Sequence, residues 1–136
     1  MSRSGYSDDF ADDNWAFIRW RGAVNSAIKG KRGQSFLREM ATVLDSMPVK
    51  RLIASEFVAK DGEVCALGAV AKARALDVSN VDPQDRELVA NKFSIAGALA
   101  AEIMYKNDND FSYWDEEPEH RWRRVREWVE ELKQEK

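Results

Sequence analysis

One cysteine and one histidine in 136 residues leave little for nucleophilic or metal chemistry to use. A lone Cys65 cannot close an internal disulfide. Between Val64 and Ala66 it reads as a small buried hydrophobe in a reducing compartment. Pairing Cys65 with His120 as nucleophile and base needs contact in space, and His120 is expected to open an exposed helix beside Arg121. One residue of each type also falls short of a zinc set. Asn107-Asp108-Asn109-Asp110 lacks the glycine and distal glutamate of a calcium loop. Gly30-Lys31-Arg32-Gly33 lacks the strand and the Lys-Ser/Thr ending of a phosphate loop. No catalytic, metal or cofactor residue is assigned, and no enzyme activity is expected. Long apolar runs are absent too: none approaches the ~18–20 residues that span a bilayer. The opening Met-Ser-Arg-Ser-Gly-Tyr-Ser-Asp-Asp is too polar and acidic for a signal peptide. A soluble cytoplasmic protein without a membrane partner is expected.

What is present suits one domain: 44% apolar and 33% charged residues in a length that buries an ordinary core. Two runs crowded with small residues, Val64–Val70 and Phe93–Met104, are expected at its centre, because small side chains let backbones approach closely. Residues 1–12 read as a flexible tail and 13–136 as a single helical domain. The fold class is mainly α, a compact bundle of about five helices. The apolar spacing predicts helices from about Trp15 to Ile28, Gln34 to Met47, Ala66 to Ala75, Pro83 to Lys106 and Glu117 to Leu132. Gly30 to Gly33 is expected as a tight basic turn between the first two. Residues 51–65 are expected as a short two-stranded ribbon turning at Lys60-Asp61-Gly62-Glu63, with a helix over 50–59 as the competing reading.

Charge is the most uneven property of the chain. Residues 19–51 hold eight bases and two acids, whereas the whole chain carries −3. This stretch reads either as a solvated face that pairs with the acidic remainder of the chain or as a face that meets phosphates or a carboxylate-rich protein surface. The candidate partner-binding residues are Arg19, Trp20, Arg21, Lys29, Lys31, Arg32 and Arg38. Five tryptophans are many for this length, and Trp15 and Trp20 cannot both face one helical stripe. At least one is therefore exposed or covered by a partner, which leaves a homodimer through the Trp-bearing faces open.

The segments Arg19-Trp-Arg-Gly-Ala-Val, Gly30-Lys-Arg-Gly-Gln, Lys50-Arg-Leu-Ile, Gly62-Glu-Val-Cys-Ala-Leu-Gly-Ala-Val, Ala101-Glu-Ile-Met-Tyr with Asn107-Asp108, and Arg121-Trp-Arg-Arg-Val-Arg-Glu-Trp-Val resemble a set of small proteins encoded by tailed bacteriophages and prophages. The resemblance covers most of residues 19–129 and brings no activity or catalytic residues with it. It implies expression in a bacterial cytoplasm. It also implies an accessory role, binding and inhibiting host machinery for host takeover or for counter-defence such as anti-CRISPR action. Nucleic-acid binding through residues 19–51 is the alternative.

Overall fold

The computed structural model describes residues 14–108 and 116–134, so the expected tail at 1–12 and the stretch around Trp114 lie outside the described residues. Six helices are present among the described residues: α1 (Asn14–Lys29), α2 (Lys31–Ser46), α3 (Ala66–Ala73), α4 (Arg86–Phe93), α5 (Gly97–Asp108) and α6 (Pro118–Leu132). The mainly helical expectation holds. No helix is long and apolar enough to cross a membrane among the described residues.

The two small-residue runs lie where close approach is needed. Every residue of α3 from Ala66 to Ala71 is buried, and α5 buries Leu99–Met104. α2 lies against α1, α3 and α6, while α5 lies against α1, α3, α4 and α6. Phe93 fills the space between them, edge-on to Phe36 and tilted against Phe57, each at 6.2 Å between ring centroids. Two glycines set the tightest contacts. A Cβ on Gly68 would lie 1.8 Å from the Phe57 carbonyl oxygen, and one on Gly33 would lie 1.8 Å from that of Ala27. Gly33 thereby brings the start of α2 onto the end of α1. Beside it, the buried Gln34 amide donates to the Ile28 carbonyl (2.8 Å) and the Leu132 carbonyl (3.0 Å), and accepts from the Gln134 N–H (2.8 Å).

Three expectations are corrected. The basic turn at residues 30–33 is shorter than its two glycines suggest. Gly30 alone is non-helical, and Lys31, Arg32 and Gly33 form the first turn of α2. The single helix from Pro83 to Lys106 is two helices, so six elements replace about five. Pro83 belongs to a turn in which Asp82 accepts from the Gln84 N–H (2.9 Å), and the cap is Asp85, which accepts from the Leu88 N–H (3.2 Å). α4 stops at Ser94, whose φ of +62° turns the chain out of the right-handed helix. α5 restarts at Gly97, where the Glu87 carboxylate lies over the first turn and complements its dipole. Leu88 on α4 is exposed.

The ribbon contracts to one antiparallel bridge, Val58 to Val64. Bonds from the Ala59 N–H to the Glu63 carbonyl (2.8 Å) and from the Cys65 N–H to the Phe57 carbonyl (3.1 Å) close it around Gly62, whose φ is +89°. It cannot lengthen: Ser55, at φ +73°, bends the chain on one side, and Cys65 already caps α3 on the other. The competing helix over 50–59 does not form.

Candidate binding surface

The basic stretch divides into a structural half and a free half. Arg21 grips the buried Glu102 with both guanidinium nitrogens (2.7 and 3.2 Å), tying α1 to α5. Lys50 donates to the Asp45 and Met47 carbonyls (both 2.6 Å), closing the exposed end of α2. Arg51 pairs with Glu63 and Glu119. Arg38 donates to the Gln134 carbonyl (3.3 Å). Trp20 is half-buried against the core, with the Arg86 guanidinium 4.6 Å from its ring centroid. Arg19, Lys29, Lys31 and Arg32 remain exposed, and none reaches a carboxylate among the described residues.

Lys29, Lys31 and Arg32 surround the α1–α2 corner. Beneath it lies a recess of about 230 Å³ lined by Ser26, Ala27, Gly30, Gly33, Ala96 and Leu99 together with Lys31 and Arg32. Here three cations share one turn of chain, held by the Gly33 contact and without an ion pair among the described residues. A carboxylate-bearing surface approaching it meets flexible cations whose fields are screened over about 8 Å at physiological salt. Of the seven candidate residues, the structure brings Lys29, Lys31 and Arg32 together and leaves Arg19 further back on α1. Trp20, Arg21 and Arg38 are turned to internal contacts.

The other end of the molecule handles charge differently. Glu116 is buried and accepts from Arg124 (2.8 and 2.9 Å) and from His120. Arg121, expected on an exposed face of α6, is also buried. It lies 3.3 Å from Glu116 and donates to the Asn107 carbonyl (3.0 Å) and the Leu52 carbonyl (3.2 Å). Arg124 adds bonds to the Lys106 and Asn107 carbonyls, so two guanidiniums satisfy the last turn of α5. The Asn107 side chain continues the network, accepting from the Ala66 N–H (3.1 Å) and donating to the Ile53 carbonyl (2.8 Å). Burial pushes the Glu116 carboxyl upward, but the Arg124 and His120 hydrogen bonds and the two arginine charges hold it below its ordinary value. Burial likewise pulls Arg121 below the usual guanidinium range, against the attraction of Glu116. Asn107 is thus a buried hub at the end of α5; residues 109 and 110 of the Asn107–Asp110 run lie outside the described residues.

Cys65 is fully buried, and its sulfur accepts from the Gly68 N–H (3.4 Å) as the cap of α3. His120 is half-exposed and engaged with Glu116. A larger groove of about 770 Å³ separates the end of α2 from α3, floored by Val43, Met47, Val64 and Ala69. Its rim side chains Arg51 and Lys72 already have partners in Glu63 and the Gly62 carbonyl.

Sequence reasoning missed the outer face of α1. Trp15 is 71% exposed and Ile18 58% exposed, on the same stripe as Arg19. Phe17 is exposed as well. The signal was the phase conflict between Trp15 and Trp20, which the structure resolves by packing Trp20 inward. No protein-family model matches the chain, and no curated protein or solved structure matches it.

Proposed function

We propose that this protein works by binding another protein, and that the α1–α2 corner is the surface it uses. The carrying observation is that Lys29, Lys31 and Arg32 stay exposed without a carboxylate partner among the described residues, while Arg21 and Arg51 are paired. In a chain of net charge −3, an uncompensated basic patch is best explained by an acid-bearing partner. The residue resemblance to small phage proteins gives the setting: a bacterial cytoplasm in which the protein occupies a surface of host machinery, counter-defence complexes included. The mode of action is occupancy, with no chemical step.

The test compares wild type with the double variant Lys31→Glu/Arg32→Glu, both immobilised and exposed to bacterial lysate at physiological salt. A protein retained stoichiometrically by wild type and lost by the double variant is the expected result. Equal retention by both, or none by either, overturns the reading. Nucleic-acid binding through the same cations is the competing reading. It requires a gel shift at low salt whose affinity falls with a log–log slope of roughly −3 to −4 for four phosphate contacts.

A further inference from the structure

We infer that the outer face of α1 is a dimer contact, in which two copies of this chain cross antiparallel at Gly22. Trp15, Ile18, Arg19, Gly22, Asn25, Ser26 and Lys29 follow helical three- and four-residue spacing, and the structure leaves all of them exposed. Two apolar side chains on one such stripe, Trp15 and Ile18, are the anchors that protein interfaces favour.

Gly22 is the telling residue. A glycine inside a helix is less stable there than alanine would be. Gly33, Gly68 and Gly97 each have an internal reason, since a Cβ would strike a carbonyl oxygen or the Glu87 carboxylate. A Cβ on Gly22 would meet nothing within 4 Å. The fold of one copy therefore does not need this glycine, whereas a helix laid across it from outside would.

Chemistry on either side of Gly22 selects the occupant and its direction. With a two-fold axis through Gly22, antiparallel α1 helices set Trp15 against Lys29, Ile18 against Ser26, and Arg19 against Asn25. Each end then gains a cation–π pair, and no cation opposes another. A parallel arrangement would set Arg19 on Arg19 and Lys29 on Lys29. One helix face is small beside the ~1,200 Å² of a stable interface, so the dimer is a reversible one. The contact shares only Lys29 with the proposed binding corner: Lys31 and Arg32 lie beyond the paired stripe, and the dimer would carry two such pairs.

Sedimentation velocity of the full chain from about 2 to about 500 µM reads the association. Wild type should rise from monomer towards dimer mass. Gly22→Leu should remain monomeric throughout with an unchanged far-UV CD spectrum. A second measurement fixes the register. Under mild oxidation Gly22→Cys should cross-link to itself, because the axis brings the two positions together. Ser26→Cys should not, because its two copies lie about 12 Å apart along the helices. Wild type that stays monomeric at every concentration overturns the inference. So does a dimer that survives Gly22→Leu, or equal cross-linking at positions 22 and 26.

Discussion

The α5–α6 junction and the α1–α2 corner are built from the same basic side chains and treat them in opposite ways. At the junction, Arg121 and Arg124 sit beside the buried Glu116 and close the final carbonyls of α5. At the corner, Lys29, Lys31 and Arg32 face outward and pair with no carboxylate among the described residues. A charge taken out of water must be paired, so the junction arginines are committed to the fold. A charge left in water contributes little to stability and stays available to a second molecule. Basic residues therefore separate into those bonded within the fold, whether buried like Arg121 or exposed like Lys50, and those at the corner that can recruit something to it.

The sharpest break in that contrast is Arg121→Ala. It leaves Glu116 short of a partner and frees the Asn107 and Leu52 carbonyls, so a loss of about 3–5 kcal/mol in urea unfolding is expected. Next comes Gly33→Ala, which shows that the corner too depends on something internal, though not on charge. The added methyl meets the Ala27 backbone, which cannot yield as a side chain can, and about 1–3 kcal/mol should be lost. Titration sharpens the comparison further. The folded Glu116 carboxyl lies below its unfolded value of about 4.3, so its contribution is complete above that pH and disappears as pH falls through the folded value. Glu116→Gln should accordingly flatten the acid limb of the urea midpoint measured from pH 7 to pH 3, while changes at the corner leave that limb as it is. The smallest effect on folding belongs to Lys31→Glu/Arg32→Glu: a urea midpoint no lower than wild type and slightly raised, because two acids replace two bases in the first turn of α2, with partner capture abolished.

Much of the helical architecture could be read from residue order, because amphipathic spacing and punctuation agree there. α2 carries one apolar stripe ending at Pro48, and α6 opens on Pro118 with Val125 and Val129 inside. The break inside residues 83–106 was hidden, because the apolar pattern runs on through Phe93 and Ile95. Only the left-handed backbone at Ser94, at a residue type without strong preference for it, interrupts the helix. The candidate surface was legible as a basic stretch but not as a set of residues. Whether an arginine is free depends on partners far along the chain, and Arg21 meets Glu102 across 81 positions. The α1 stripe was half legible: tryptophans out of phase told that one must face away, and the open space over Gly22 needed coordinates.

The Gln34 amide has a consequence for the order of folding. Its acceptor at Leu132 and its donor at Gln134 lie 98 and 100 positions downstream. A nascent chain leaving the ribosome exposes Gln34 long before either exists, and closing so long a loop is entropically slow. The seat for α6 on α2 thus keeps two of the three Gln34 bonds open until residues 132–134 have been made. Docking of α6 on α2 is the step that closes them.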